Sequence, residues 1–147
     1  MAETNSDCPE ILLVEDNPGD VRLVLEALSE SDVPSRVNVV GDGEQALDYL
    51  FRRGAYVSAA RPRLVLLDLN LPRKGGLEVL AEVKKDKQLT RIPIVVLTTS
   101  RADDDVTTAY DRGVNCYVTK PGDFDLYLNL VQTVTKFWLT VVVPPPH

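Results

Sequence analysis

Apolar residues in this chain fall into short unbroken runs, separated by stretches in which they recur every three to four positions. Ile11-Leu12-Leu13-Val14, Leu64-Val65-Leu66-Leu67 and Ile94-Val95-Val96-Leu97 contain no polar residue. A run of that length without alternation fits a strand of a parallel sheet, because helices cover both of its faces. Five strands are expected, over Glu10–Val14, Arg36–Val40, Arg63–Leu67, Pro93–Leu97 and Val114–Thr119. Between them lie patterns with helical spacing. Val21, Val24, Leu25 and Leu28 follow Pro18 at i, i+3, i+4 and i+7. Asp42-Gly43-Glu44-Gln45 resembles a capping box ahead of Ala46, Leu47 and Leu50. Gly76, Val79, Leu80 and Val83 make a third stripe, and Val106, Ala109 and Tyr110 a fourth, capped by Ser100 or Asp103. A fifth helix is expected from about Asp123 to Leu139. The segment Gly54–Pro62 reads as a loop.

Strands alternating with helices imply an α/β fold in three layers. Right-handed crossovers leave few topologies, and the doubly wound order 2-1-3-4-5, with helices on both faces, suits five strands best. The chain of 147 residues reads as a single domain, with a core over about 9–141 and loose ends at 1–8 and 144–147.

The polar residues that follow the apolar runs change the picture. Glu15 and Asp16 follow the first strand, Asp68 the third, Thr98 the fourth and Lys120 the fifth. In the expected order strands one, three, four and five are neighbours, and ligands of such sheets bind at the strands' carboxyl ends. Taken singly, each residue has an ordinary reading: a helix-favouring acid, a capping hydroxyl, a surface lysine. Jointly they require three carboxylates, a hydroxyl and an amine to meet at one rim of the sheet.

Carboxylates about 4 Å apart repel by roughly 4 kcal/mol per pair at an effective dielectric of 20. A bound cation offsets that repulsion. Oxygen ligands without His or Cys select a hard ion, and few carboxylates with room for water and phosphate suit Mg²⁺. Lys120 and the ion would then await a dianion. Phosphoryl transfer needs positioning and charge neutralisation above all. Asp68 can serve as nucleophile, with Lys120 and the Thr98 hydroxyl each on a phosphate oxygen. No base remains to activate water, so a persistent phospho-aspartate is expected in place of enzymatic turnover.

Net charge and composition remove other classes. The formal charge of −6 argues against a nucleic-acid binder. Cys8 and Cys116 have no metal-ligand spacing and read as an inert terminal thiol and a small buried hydrophobe. The one histidine, His147, is at the extreme C-terminus, so none serves triad, general-base or zinc chemistry in the body of the fold. The absence of a signal-peptide pattern and of a long apolar stretch predicts a cytoplasmic protein without a membrane span.

Glu15-Asp16, Asp68, Thr98, Tyr117 and Lys120-Pro121 together resemble the motif set of bacterial two-component response-regulator receiver domains, over essentially the whole chain. Glu15-Asp16-Asn17-Pro18-Gly19-Asp20, Leu67 to Pro72, Val114-Asn115-Cys116-Tyr117 and Phe137-Trp138-Leu139 resemble, more narrowly, the single-domain regulators paired with phytochromes. The resemblance implies the flavodoxin-like receiver fold, and Asp68 as acceptor of a phosphoryl group from a sensor histidine kinase, plausibly a phytochrome. It implies Mg²⁺ held directly by Asp16, largely through water by Glu15, and by Asp68 and the Asn70 carbonyl. Thr98 and Tyr117 would form the switch pair, and the bond before Pro121 would be cis. Gly122 departs from the pattern, which usually has a bulky apolar residue there.

The rival readings are weaker. An aspartyl-nucleophile phosphatase wants an acid two residues after the nucleophile, where this chain has Asn70. A nucleotide- or flavin-binding domain wants a glycine-rich loop after the first strand. An unphosphorylated scaffold leaves the acids unexplained. No output domain is expected after the last helix, so signalling would run through protein contacts. That helix also carries more apolar residues than one sheet face can cover. Leu126, Leu130, Val134, Phe137 and Val141 form a stripe for the sheet, widened by Phe124, Val131, Trp138 and Val142. The surplus predicts a homodimer through this helix and the adjacent strand.

Overall fold

The structure is a computed structural model and describes residues 8–146. The expected loose ends at residues 1–7 and His147 lie outside the described residues. Five strands form one parallel sheet: β1 (Glu10–Val14), β2 (Arg36–Val40), β3 (Leu64–Leu67), β4 (Ile94–Thr98) and β5 (Cys116–Thr119), in the order β2-β1-β3-β4-β5. Five helices connect and flank them: α1 (Pro18–Ser29), α2 (Gly43–Leu50), α3 (Gly76–Lys84), α4 (Asp103–Asp111) and α5 (Phe124–Lys136). The expected doubly wound architecture is present.

Side-chain alternation divides the core between the two faces. Ile11, Leu13, Leu64, Leu66, Val95 and Leu97 face α1 and α5, meeting Val24, Ala27, Leu28, Tyr127 and Val131. Leu12, Val14, Val65, Leu67 and Val96 face α2, α3 and α4, meeting Ala46, Leu47, Val79, Leu80, Val83 and Ala109. Both faces of β3 are covered, which is why Leu64–Leu67 are all buried and the run needs no polar residue. Truncating one such leucine to alanine removes about 2–5 kcal/mol.

Several local expectations are corrected. On α5 the sheet covers Tyr127, Val131 and Thr135, whereas Leu126, Phe137 and Val141 are exposed. The expected stripe followed hydrophobicity alone. Tyr127 brings a larger apolar ring to the sheet, and Thr135 satisfies its hydroxyl within the helix by donating to the Val131 carbonyl at 2.8 Å. The chain then widens at Phe137–Val141 into a π-turn, which rotates those residues off the expected register. On α4, Ala109 is buried but Tyr110 is exposed, and the helix begins after Ala102 without a side-chain cap. Leu25 of α1 is exposed, and the helix turns Val24, Ala27 and Leu28 to the sheet. No described peptide bond is cis, so the one before Pro121 is trans. Trans is the favoured X–Pro isomer by about 0.5–1 kcal/mol, and here Lys120 prolongs β5 by donating its N–H to the Thr98 carbonyl at 2.8 Å. The loop before β3 contains one turn of 3₁₀-helix, Gly54–Tyr56.

Two glycines mark close approaches near the carboxyl rim of the sheet. A Cβ on Gly76 would stand 2.5 Å from the Asp68 carbonyl oxygen, and one on Gly43 would stand 1.9 Å from that of Lys74. Helix α3 therefore starts directly against the backbone that carries Asp68, and its first N–H donates to the Leu69 carbonyl at 3.0 Å.

Candidate functional site: an acid cluster closed by one lysine

Strand register assembles the site. Val14 of β1 pairs with Leu67 of β3, so the residues that follow, Glu15 and Asp68, leave the sheet side by side. The Asp68 N–H donates to the Val14 carbonyl at 3.1 Å and the Glu15 N–H to the Val40 carbonyl at 3.0 Å. Thr98 pairs with Thr119, which delivers Lys120 to the same rim. Glu15, Asp68, Thr98 and Lys120 are all buried, and Asp16 is exposed beside them.

Glu15, Asp16 and Asp68 each present a carboxylate oxygen, and these oxygens lie within 4.8 Å of one another. This set fits a hard divalent cation: it is all oxygen, anionic and partly open to water through Asp16. Among the described residues Lys120 is the one buried cation. Its ammonium lies 2.7 Å from Glu15 Oε1, 2.7 Å from Asp20 Oδ2 and 3.2 Å from Asp68 Oδ2.

Burial would by itself pull the lysine down, but its bonds to Asp20 and Glu15 outweigh that and hold it above the ordinary lysine range. Glu15 moves the other way for a carboxylate. Burial first, and then the Asp68 charge, push it up to about 7 against the opposing pull of Lys120. A single ammonium does not balance this many carboxylates, and the most buried of them carries the upward shift.

Thr98 and Tyr117, the expected switch pair, also reach this end of the sheet. Thr98 is buried, and its hydroxyl oxygen accepts from the Ser100 N–H at 3.4 Å. The Tyr117 ring is half-buried, and its hydroxyl donates to the Ser100 carbonyl at 2.9 Å. Both residues thus engage the same short loop after β4. Asn70 is exposed two residues past Asp68, and its backbone N–H donates to Asp68 Oδ1 at 3.3 Å.

Comparison with known proteins identifies the family. The model of the response regulator receiver domain matches residues 11–132. The chain belongs to the response regulator receiver family. Response regulator Rcp1 from Synechocystis sp. is 45% identical over 145 residues, which is 99% of each chain. Among solved structures, the phosphorylated cyanobacterial phytochrome response regulator RcpA matches with a TM-score of 0.91 at 49% identity, over 95% of this chain and 99% of that one. The Mn²⁺-bound form of Rcp1 matches with a TM-score of 0.89 at 46% identity, over 94% and 99%. This receiver is therefore homologous, over nearly its whole length, to phytochrome response regulators. The phosphatase reading is not favoured.

Two residues beside the acid cluster escaped sequence reasoning. Asp20 reads as an acid in the first turn of a helix, where it favours the dipole, and its N–H is indeed capped by Asn17 Oδ1 at 3.0 Å. Its spacing of four from Asp16 was the available signal, since one helical turn carries it back over the rim. Tyr127 is absent from the stripe expected of the last helix, yet it is buried and its hydroxyl has no hydrogen-bond partner among the described residues. Burial, opposed by the nearby lysine and reinforced by the acids, pushes that phenol well above its ordinary value.

Proposed function

We propose that this receiver takes a phosphoryl group onto Asp68 from the phosphohistidine of a partner kinase and signals through the surface around Thr98 and Tyr117. The observation that carries the reading is the contact of the buried Asp68 carboxylate with both the acid cluster and the Lys120 ammonium. A carboxylate oxygen of Asp68 attacks phosphorus, the P–N bond breaks, and the imidazole leaves as the acyl phosphate forms. Lys120 is placed to receive one phosphate oxygen. The Thr98 hydroxyl is the donor for a second, on giving up its contact with the Ser100 N–H. Tyr117 shares the Ser100 loop with Thr98, so a move of that loop reaches the ring and the exposed surface.

Glu15, Asp16 and Asp68 would hold Mg²⁺, with the Asn70 carbonyl as a further ligand by family resemblance. The ion neutralises charge on the incoming phosphoryl group. Asp68 is read as a phosphoacceptor and not as the nucleophile of a turnover enzyme. The kinase is read as a phytochrome-type sensor, since RcpA, a cyanobacterial phytochrome response regulator, is 49% identical to this chain over 95% of its length. A cytoplasmic location suits that partnership. A homodimer is read from Leu126 and Phe137, exposed on the side of α5 away from the buried Tyr127, Val131 and Thr135, and from Val141 in the π-turn.

The direct test is mass spectrometry after incubation with acetyl phosphate and Mg²⁺. One phosphoryl adduct, stable to acid and labile to base, is expected on the native chain and none on Asp68→Asn. Retention of that adduct in the variant would overturn the assignment.

A further inference from the structure

A second charged cluster occupies the opposite end of the sheet. A cavity of about 360 Å³ opens there, lined by Arg52, Arg61, Arg63 and Arg91. Its apolar wall is Ile92, Pro93 and the prolines 144–146. Arg63 immediately precedes β3, and Arg91 precedes β4 by three residues. The cavity therefore sits at the amino ends of the strands, a full strand length from Asp68.

The charge distribution is unusual for this chain. Acidic residues outnumber basic ones 22 to 16. Yet among the described residues no carboxylate forms an ion pair with any of these four arginines, while Lys120 alone takes three. Two of the guanidiniums are held by main-chain carbonyls of α2 and of the π-turn after α5. Arg61 donates to the Leu50 carbonyl at 3.2 Å and to Gln88 Oε1 at 3.5 Å. Arg63 donates to the Leu139 carbonyl at 3.3 Å. These bonds use part of each fork and leave other N–H groups for a ligand. Burial, and then the charge of Arg52, pull the Arg61 guanidinium below its ordinary value against a weaker opposing effect of Asp86.

Arg52 adds a backbone observation. Its φ is +58°, in the left-handed region, at the end of α2. The Arg53 N–H donates to the Asp48 carbonyl at 2.8 Å and the Arg52 N–H to that of Tyr49 at 3.2 Å, a helix stop in which glycine is the default residue. The turn itself does not need an arginine side chain, and this one lines the cavity.

We propose that this cavity binds a phosphate-bearing small molecule of nucleotide size, with its phosphates on the guanidiniums and its planar or apolar body against Pro93, Ile92 and prolines 144–146. The volume falls within the range of small-ligand pockets. Arginine forks match phosphate oxygens in pairs, and several guanidiniums suit a polyphosphate better than a single carboxylate. The acid rim around Asp68 is repulsive to such a ligand when no divalent cation is bound.

The test is titration of the full chain with ATP in magnesium-free buffer, followed by backbone amide shifts, with pyrophosphate and adenosine as second and third probes. Saturable shifts are expected at Arg52, Gln88 and Arg91 with ATP and with pyrophosphate, and much weaker ones with adenosine. The Arg52→Gly/Arg91→Ala double variant should bind ATP at least tenfold more weakly while its urea midpoint stays level or rises. Shifts centred on Thr98 and Lys120, adenosine binding as tight as ATP, unchanged ATP affinity in the double variant, or no saturation at millimolar ATP would each overturn the proposal.

Discussion

The Lys120 ammonium is as close to Asp20 as to Glu15, 2.7 Å in each case, and closer to both than to Asp68 at 3.2 Å. The lysine proposed to meet the phosphoryl group is thus shared with an acid on the first turn of α1. To meet phosphate it must loosen one of these bonds, and the Asp20 bond is the more solvent-exposed. Asp20→Asn removes a negative charge from the site that receives a dianion. It is expected to speed labelling by acetyl phosphate about two- to tenfold, a range set low because screening at a partly exposed carboxylate shrinks its effect. Mg²⁺ affinity should change less than twofold, since Asp20 is outside the oxygen cluster. Slower labelling would show that Asp20 positions Lys120 productively instead of competing for it.

Asp16 is the exposed member of that cluster, and its role separates from folding. Asp16→Ala should weaken Mg²⁺ binding about tenfold or more, read by titration, while the urea midpoint rises or stays level because like-charge repulsion is relieved. An unchanged affinity would remove Asp16 from the metal site.

Glu15 predicts a pH dependence with a definite sign. Its carboxyl in the metal-free fold is pushed up to about 7 by burial and by Asp68. A raised acid favours the fold most at low pH, and that contribution declines as pH rises from the unfolded value through about 7. A metal needs the carboxylate, so binding must displace the proton below that point. Apparent Mg²⁺ affinity should fall about tenfold per pH unit below 7 and level off above it, in calorimetric titrations from pH 5.5 to 8.5. A flat profile would mean that Glu15 is ionised throughout or takes no part.

Most of the sheet was legible because β1, β3 and β4 are buried on both faces, which leaves an unbroken apolar run in the sequence. The site was legible for the same reason: a carboxylate that ends such a run has no core explanation. Legibility failed where burial and hydrophobicity part. Tyr127 and Thr135 go inward on α5 because one brings a ring and the other satisfies its hydroxyl locally, and neither property appears in an apolar stripe. Asp20 escaped because a helix-start acid has a sufficient local reason to be there. The bond before Pro121 was carried over from resemblance alone, and the structure has it trans.

Gly76 tests the coupling of α3 to the acceptor. Gly76→Ala would place a methyl 2.5 Å from the Asp68 carbonyl oxygen and 2.7 Å from Leu69 Cα, both backbone atoms that cannot rotate away. The expected loss is about 1–3 kcal/mol from the urea midpoint, with slower labelling of Asp68 from its displaced backbone. Gly122→Ala is the control. Nothing lies within 4 Å of its added Cβ, so stability should hold or rise slightly. Equal effects at the two positions would show that the close approach at Gly76 carries no energetic weight.

The outer side of α5 decides the oligomer. Leu126 is 60% exposed, Phe137 47% and Val141 65%, away from the buried Tyr127, Val131 and Thr135, and edge strand β5 is only half-buried. Single exposed apolar residues are ordinary, but a row along one helix and its π-turn is what a second copy of this face would cover, each protomer contributing the same residues about a two-fold axis. Leu126→Asp puts a charge in that row without touching the buried Tyr127, Val131 or Thr135. Sedimentation equilibrium at tens of micromolar should show dimer for the native chain and monomer for Leu126→Asp, with the two unfolding at similar urea concentrations once monomeric. A native chain that stays monomeric at that concentration, or a variant that dimerises equally well, would remove this face from the assembly.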